Sequence, residues 1–307
     1  MNILVTGANG QLGRCIKDVI DTIGNGHADH YVGEPDYYIF AGHNDLDITD
    51  ANAVDEFVKK NFINVIINCA AYTNVDKAQT DRDTAYDINA IGPLNLAFAA
   101  KSVGAVLIHI STDYVFGGEY DSPLPPMSQN DENFVPAKMD ENYYGYSKMI
   151  GEHLIEQSGC RYLIFRTSWL YSEYGKNFVK TMHNLHNEGK TPKVVCDQVG
   201  SPTYARDLAE FIVHIIKCNN ADSRYLSKTG IYNFANKSIA TWYDIAKRVC
   251  GVEGVVPCET KDFPTTVKRP KYSVLDVSKT EADFGFNIRY WGEAIEQSLY
   301  NLNKQSE

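Results

Sequence analysis

Residues 1–13, MNILVTGANGQLG, join a short apolar run to three glycines with the spacing G-x-x-G-x-x-G. The segment 12–23 follows at once and has the apolar spacing of an amphipathic helix. Gly7 allows a sharp turn out of a strand, Gly10 allows bare backbone to approach a pyrophosphate, and Gly13 allows the helix to lie close to the sheet. The pattern predicts the phosphate-binding turn of a nucleotide-binding domain. A tight strand-to-helix turn without a ligand is the alternative, because three glycines alone are a weak signal.

Strands and helices alternate through the first half of the chain. The predicted strands are 2–6, 37–41, 65–69, 106–110 and 162–166. The predicted helices are 12–23, 51–61, 83–103 and 146–157. This alternation indicates an α/β fold with a Rossmann-like, doubly wound parallel sheet and helices on both of its faces. We therefore predict an NAD(P)-binding domain over residues 1–170.

The regular alternation of strands and helices ends after residue 170, where Gly, Pro and Asn residues interrupt shorter elements. Helices are predicted at 205–217, 240–249 and 291–302. Residues 171–307 are predicted to form mainly a smaller mixed α/β substrate-binding lobe, with some later segments returning to the first domain. The segment 117–142 contains four prolines and several carboxylates. It is predicted to be a long surface loop, and loops of that length often act as lids.

Charge and composition exclude several classes of partner. The 29 basic and 39 acidic residues give a net charge of −10, which disfavours a surface for nucleic acid or anionic lipid. We find neither a targeting segment nor an apolar run of about 18 residues. The seven cysteines include no C-x-x-C pair, which predicts reduced thiols. We expect a cytoplasmic protein that binds a small-molecule substrate but no nucleic acid or membrane, as a monomer or homodimer.

Reactive side chains are predicted at two places. Tyr144 and Lys148 are four residues apart, so a helix would place them on one face. A lysine ammonium there would lower the pKa of the phenol toward neutrality, where tyrosine can donate a proton. Thr112 and Asp113 follow the strand 106–110, at the sheet edge where such folds bind ligands. The alternatives are an ordinary surface helix and a hydroxyl that caps a turn.

Two further segments have the composition of cofactor contacts. Residues 68–73, NCAAYT, end a strand with small side chains, which suits a flat nicotinamide or ribose but also suits simple packing. Residues 41–47 contain neither a clear ribose-binding carboxylate nor an arginine for a 2′-phosphate, so NADH and NADPH both stay open. Residues 47–50 are equally suited to adenosine contact and to capping the next helix.

These segments together resemble the extended short-chain dehydrogenase/reductase family, over nearly the whole chain. The resemblance is closest to a branch of that family that reduces 4-keto nucleotide sugars. It is carried by the glycine turn and by NCAAYTNVDK (68–77), Asn89, STDYVF (111–116), YGYSKMIGE (144–152), RTSWLY (166–171), NFV (177–179), DQVGSPT (197–203) and RP (269–270) with SVLD (273–276).

The resemblance implies residue roles for the reduction. Tyr144 would protonate the C4 oxygen, Lys148 would hold the ribose and tune Tyr144, and Thr112 would orient the carbonyl. The implied substrate contacts are Thr112, Asp113 and Trp169. The implied cofactor contacts are Gly7, Gly10, Gln11, Leu12, Gly13, Asp47, Ile48, Ala71, Tyr72, Thr73, Tyr144 and Lys148.

Two positions distinguish this chain from its relatives. Tyr114 stands where related dehydratases carry a glutamate, and a phenol is a poor substitute for that base, so reduction fits better than dehydration. Cys15 stands where some members carry a glutamate that bridges dimers through a metal, so no bound metal is predicted. Two alternatives stay open. One is a reductase or epimerase acting on another nucleotide sugar, and the other is a non-catalytic NAD(P)-binding regulatory subunit.

Overall fold

The computed structural model describes residues 1–25, 36–221 and 224–304 of the chain. Its strands are β1 (Asn2–Thr6), β2 (Tyr37–Ala41), β3 (Val65–Asn68), β4 (Val106–Thr112), β5 (Arg161–Thr167), β6 (Leu170–Tyr171), β7 (Lys193–Val195), β8 (Val199–Gly200), β9 (Thr203–Tyr204), β10 (Gly230–Asn233), β11 (Ala240–Thr241), β12 (Val256–Cys258) and β13 (Tyr272–Ser273). Its α-helices are α1 (Gln11–Asn25), α2 (Ala51–Lys60), α3 (Val75–Ala78), α4 (Arg82–Tyr86), α5 (Gly92–Val103), α6 (Tyr143–Ser158), α7 (Phe178–Asn187), α8 (Ala205–Ala221), α9 (Arg224–Ser227), α10 (Trp242–Cys250), α11 (Ser278–Phe284) and α12 (Trp291–Lys304). No helix within these ranges is both long enough and apolar enough to cross a membrane.

The central sheet is parallel and has the strand order β10-β5-β4-β3-β1-β2. Side chains alternate between its faces, as the pleat requires. Ile3 and Val5 therefore pack with α1 and α8, while Leu4 packs with α2 and α5. The strand order reverses beside β1, where open α/β sheets bind their ligands. The predicted doubly wound, Rossmann-like fold is confirmed.

The central sheet and the helices packed on it form the first body of the protein. Three segments beyond residue 170 also pack into this first body. Strand β10 pairs with β5 at the sheet edge, α8 packs on α1, and Phe284 of α11 lies in the same apolar cluster. The other late elements build a separate core, in which α7, α10 and α12 meet around Met182, Ile245 and Ile295. We call this second body, with its short two- and three-stranded sheets, the second lobe. The chain thus leaves and re-enters the first body several times.

The start of one predicted helix and the continuity of another differ in the structure, whereas the other predicted helices differ only in their end residues. Helix α6 begins at Tyr143 rather than 146, because the Asn142 side chain accepts a hydrogen bond from the Gly145 N–H and caps the helix three residues earlier. The segment 83–103 is not one helix: a π-helical turn over Asp87–Ile91 separates α4 from α5. Both differences arise at short polar side chains that bond locally to backbone or across to neighbouring elements.

The segment 117–142 is irregular, as predicted, and part of it packs against the sheet edge. The Leu124 side chain is buried, its N–H donates to the Val274 carbonyl at 2.7 Å, and its carbonyl accepts from the Asn233 side chain at 2.8 Å. Phe134 is buried against the Arg166 guanidinium. None of its residues lines the main cavity. Leu124 and Phe134 are therefore fixed at the sheet edge, and a role of the segment as a lid stays a prediction.

Candidate active site

A cavity of about 620 Å³ opens at the carboxyl edge of the sheet, where α1 begins. The second lobe supplies its other wall. Ten of the sequence-predicted site residues line it together: Gly10, Gln11, Leu12, Ala71, Thr73, Thr112, Asp113, Tyr144, Lys148 and Trp169. The glycine turn and the tyrosine–lysine pair lie more than 130 residues apart in the chain and therefore face one cavity only in the folded protein.

Five predicted cofactor residues lie outside the lining of this cavity: Gly7, Gly13, Asp47, Ile48 and Tyr72. Asp47 accepts hydrogen bonds from the Thr49 N–H and hydroxyl at 2.9 and 2.8 Å, and these bonds lower the pKa of its carboxyl group. Asp50 caps α2. Ile48 is buried. In the structure, residues 47–50 thus have the capping role, and adenosine contact by Asp47 and Ile48 stays a prediction.

The glycine turn fits a dinucleotide phosphate. Gly7 has φ of +63°, and a Cβ there would come within 2.5 Å of the Ala70 nitrogen, so only glycine allows this turn against β3. The turn exposes the backbone of Gly10 to the cavity at the start of α1, a 15-residue helix. Unpaired N–H groups and the helix dipole at such an end favour an anion. NADPH and NADH both carry the required pyrophosphate.

Tyr144 lies in the first turn of α6, between the cavity and β4. Gly145 allows this approach, since a Cβ there would lie 2.0 Å from the Tyr114 carbonyl oxygen. Burial raises the pKa of Tyr144 to about 12, although its hydrogen bond with Thr112 acts in the opposite direction. Lys148 is not among the causes of the shift. The expected lowering of this pKa toward neutrality is therefore absent, and Tyr144 is a phenol that holds its proton.

Lys148 is 1% exposed and reaches from α6 to β4. Its Nζ donates to the Ile110 carbonyl at 2.7 Å and lies 3.1 Å from His109 Nε2. Burial lowers the pKa of Lys148 to about 8, while the Glu152 carboxylate and the Cys69 thiol oppose that shift. His109 was not predicted from the sequence, in which it is only one polar residue within an apolar strand.

Asp113 is 2% exposed at the end of β4. Its Oδ1 accepts a hydrogen bond from the Thr112 hydroxyl at 2.9 Å, whereas its Oδ2 has no partner among the described residues. Burial raises the pKa of Asp113 to about 7, with the hydrogen bond from Thr112 and the nearby Ser273 hydroxyl opposing the shift. A buried carboxyl with one oxygen unpaired can bond to hydroxyl groups of a ligand.

Asn89 connects three segments around the site. Its side chain accepts from the Tyr72 N–H at 2.9 Å, and its amide donates to the Tyr72 carbonyl and to the Ser147 hydroxyl, each at 3.0 Å. Ser147 lies between Tyr144 and Lys148 on α6. Asn89 thereby holds α6, with Tyr144 and Lys148, against the segment that follows β3.

A second cavity of about 370 Å³ adjoins the first and shares an aromatic wall with it. Trp169 and Trp242 form that wall with their rings stacked 3.8 Å apart, and Phe178 packs edge-on against Trp242. Arg269 lines the second cavity and pairs with Asp76 at 2.5 Å. Trp242 was not predicted from the sequence, where it is one apolar residue near the start of the predicted helix 240–249.

Cys15, at the position expected to exclude a bridging metal, is buried within the α1–α8 core. The described part of the chain contains no group of three or more metal-ligating side chains. The absence of a bound metal stays a prediction.

Comparisons with known proteins agree with this geometry. Residues 1–304 match the family model described as RmlD substrate binding domain. A dTDP-4-dehydrorhamnose reductase of Aggregatibacter actinomycetemcomitans is 35% identical, over 95% of this chain and 96% of its own length. The crystal structure of such a reductase from Clostridium acetobutylicum has a TM-score of 0.84 and 42% identity, covering 99% of this chain and 100% of its own. That from Bacillus anthracis, in complex with NADP, has a TM-score of 0.83 and 36% identity, covering 98% and 99%.

Proposed function

Because the chain belongs to the RmlD substrate-binding-domain family, we propose that it is an NAD(P)H-dependent oxidoreductase. In this proposal it reduces the C4 keto group of dTDP-4-dehydro-L-rhamnose to dTDP-L-rhamnose, using NADPH or NADH, as a step of dTDP-rhamnose biosynthesis for polysaccharides. One observation carries the proposal: Thr112, Tyr144 and Lys148 line the same cavity as the glycine turn.

The turn at Gly10 to Leu12 would hold the cofactor pyrophosphate, and Ala71, Thr73 and Lys148 would border its nicotinamide end. Reduced nicotinamide, when bound, supplies the hydride to C4. Tyr144 donates its phenolic proton to the C4 oxygen, and its pKa of about 12 means that this proton is in place at neutral pH. Thr112 orients the carbonyl oxygen through a hydrogen bond. The tyrosinate then regains a proton from solvent, which balances the reduction.

The substrate's nucleotide would extend from the main cavity into the second one. Trp169 and Trp242 offer flat aromatic faces for a base. Arg269 and Lys193 line the second cavity and offer positive charge for a diphosphate. Such local cations and the α1 amides are needed because a net charge of −10 repels a multiply anionic substrate at long range. Asp113 would bond to the sugar.

Two observations support reduction over the alternatives. Tyr114 occupies the position next to Asp113 where elimination would need a carboxylate base, and burial raises the pKa of this phenol further. A purely regulatory NAD(P)-binding subunit has no need of a buried tyrosine–lysine pair in its cavity. We further propose a cytoplasmic location, which the seven free cysteines support, since thiols persist in reducing compartments.

The test is oxidation of NADPH and of NADH by the purified protein with dTDP-, UDP- and GDP-linked 4-keto sugars. We expect turnover with the dTDP sugar and little with the others, and the two cofactors compared side by side establish the preference. Tyr144→Phe is the matched control, because it keeps the ring and removes the proton. Turnover with a different nucleotide sugar would reassign the substrate. Cofactor binding without any turnover would favour the regulatory subunit.

A further inference from the structure

The side chain of Gln11 connects the glycine turn to the loop that leads into the second lobe. Gln11 is the first residue of α1, and its Oε1 accepts hydrogen bonds from the Ser172 hydroxyl and from Asn177 Nδ2, each at 3.0 Å. Residues 172–177 form the loop between β6 and α7, and Asn177 is the N-cap of α7. The loop also packs on this side chain at Gly175, where a Cβ would lie 3.3 Å from Gln11 Cγ. The loop therefore encloses one residue of the predicted phosphate site.

The orientation of the Gln11 amide follows from Asn177. Asn177 Oδ1 accepts a hydrogen bond from the Lys180 backbone N–H at 3.0 Å. A backbone N–H can only donate, so this atom is the amide oxygen of Asn177 and the opposite atom is its NH₂ group. Asn177 therefore donates to Gln11, and the atom of Gln11 that receives the bond is its oxygen. The NH₂ group of Gln11 is then on the other side of the amide.

That NH₂ group is an unpaired donor on a side chain that lines the main cavity. Gln11 lies there next to Gly10, and its Nε2 has no hydrogen-bond partner among the described residues. Nε2 is not among the unpaired polar atoms that are buried, so a ligand can reach it. Residues 7–13 contain no lysine or arginine, and the Arg14 guanidinium lies over the Tyr174 ring at 4.0 Å. N–H groups therefore have to supply the contacts that a phosphate needs at this turn.

We propose that Asn177 is a positioning residue for cofactor binding, because it holds Gln11 with its NH₂ group directed at a pyrophosphate oxygen of the cofactor. The inference rests on the NAD(P)H cofactor of the proposed reduction, but not on the identity of the sugar. Ser172 alone cannot fix the amide, since its single hydroxyl hydrogen has a second acceptor in the Tyr174 carbonyl at 3.1 Å. Without Asn177 the Gln11 amide can turn and present its oxygen, which a phosphate repels. The second lobe thus takes part in binding the cofactor.

The direct test is the cofactor affinity of Asn177→Ser, measured by fluorescence as the Kd of NADPH and by calorimetry as the Kd of NADP⁺, without substrate. Serine keeps the cap of α7, because its hydroxyl can accept the Lys180 N–H, but its side chain is too short to reach Gln11. Loss of one oriented donor to a charged group predicts a rise in Kd of about tenfold or more. An unchanged Kd overturns the proposal.

Tyr174→Phe is the matched control. Tyr174 lies in the same loop, and its hydroxyl donates to Asp18 on the same helix, about two turns beyond the glycine turn. The variant removes one hydrogen bond between the loop and α1 and keeps the ring beneath Arg14. We expect the wild-type Kd, together with a loss of unfolding free energy similar to that of Asn177→Ser. Equal rises of Kd in both variants would show that the loop only supports the fold of this region, and would overturn the role of Asn177.

A double-mutant cycle with Gln11→Met shows whether Asn177 acts through Gln11. Methionine keeps the length of the side chain and removes the NH₂ donor, so this variant alone should raise the Kd by about the same factor. Adding Asn177→Ser should then have little further effect. Effects that multiply would overturn the proposal, because Asn177 would act independently of Gln11.

The same measurements separate this inference from the proposed function. Cofactor binding that depends on Asn177, in a protein that turns over no keto sugar, would refute the proposed reduction and leave the inference intact. A wild-type protein that binds neither NADPH nor NADH would refute both.

Discussion

Replacement of Asp113 by asparagine should make the protein more stable, increasingly so as the pH rises. The side chain is 2% exposed, and burial raises the pKa of its carboxyl from 3.8 to about 7. Asparagine keeps an oxygen to accept the Thr112 hydroxyl bond and never ionises. It presents an NH₂ group where the protonated acid presents its O–H, so the two side chains are close equivalents at low pH.

The size of the effect follows from the two pKa values. The unfolded chain ionises near 3.8 and the folded protein near 7, so between these values the folded state binds more protons and wild-type stability falls with rising pH. Each pH unit is worth about 1.36 kcal/mol. The loss over the interval is therefore about 4 kcal/mol, complete above pH 7 and absent below pH 4.

Urea denaturation of wild type and Asp113→Asn, in steps from pH 4.5 to 8.5, measures this quantity. Other titrating groups affect both proteins alike and cancel in the difference of unfolding free energies. That difference should rise by a few kcal/mol up to about pH 7 and then level off. A difference that stays flat with pH would refute the account of Asp113 as a carboxyl held in an unfavourable, buried position.

Asp47→Asn is the matched control, with the opposite sign. Hydrogen bonds from Thr49 lower the pKa of Asp47, so its contribution to stability is present at neutral pH and is lost as the pH falls. The Asp113 variant should also lose kcat/KM, because the side chain lines the cavity and its Oδ2 is otherwise unpaired. Greater stability with lower activity is the expected signature of a ligand-binding group.

Three further outcomes are expected. Tyr144→Phe should lower kcat by about 10²-fold to 10⁴-fold, the contribution of a positioned acid, while NADPH affinity measured by fluorescence stays within about twofold. Glu152→Gln should reduce the free energy of unfolding, measured in urea, by about 3 to 5 kcal/mol, because it leaves the fully buried Arg166 without a charged partner. The double variant with Arg166→Met should regain part of this stability. A double variant no more stable than Glu152→Gln would contradict the explanation by an unpaired charge. Trp242→Ala should raise the KM for the nucleotide sugar and leave the KM for the cofactor unchanged, because its ring is proposed to stack on the base of the sugar nucleotide. Trp242→Phe should have an intermediate effect. Equal changes in the two KM values would show that Trp242 does not bind the base.

Local sequence patterns predicted some of the residues that meet in the main cavity, among them Gly10, Thr112, Tyr144 and Lys148. The glycine spacing at Gly7 and the i, i+4 spacing of Tyr144 and Lys148 depend only on backbone geometry within one turn, and strands β1 and β2 have the predicted bounds. The family resemblance added Trp169, which no spacing rule identifies.

Contacts between distant segments could not be predicted from the sequence. Leu124 is fixed by a carbonyl 150 residues later, a contact that the composition of its segment does not reveal. His109 contacts Asn68 and Lys148, which lie about 40 residues away on either side in the sequence, so these contacts exist only in the folded protein. The raised pKa of Tyr144 is a result of burial, a tertiary property, and it reverses an expectation based on the neighbouring lysine alone.

The repeated return of the chain to the central sheet has a mechanical consequence. Helix α8, strand β10 and helix α11 belong to the first body, although the second lobe precedes and follows them in sequence. Several short connections therefore cross between the two bodies. Hinge motion has to bend all of them together, which restricts the amplitude of opening. Recombination that replaces the second lobe would also have to preserve these three interleaved segments, because they form one edge strand of the central sheet and part of the helical layer on α1.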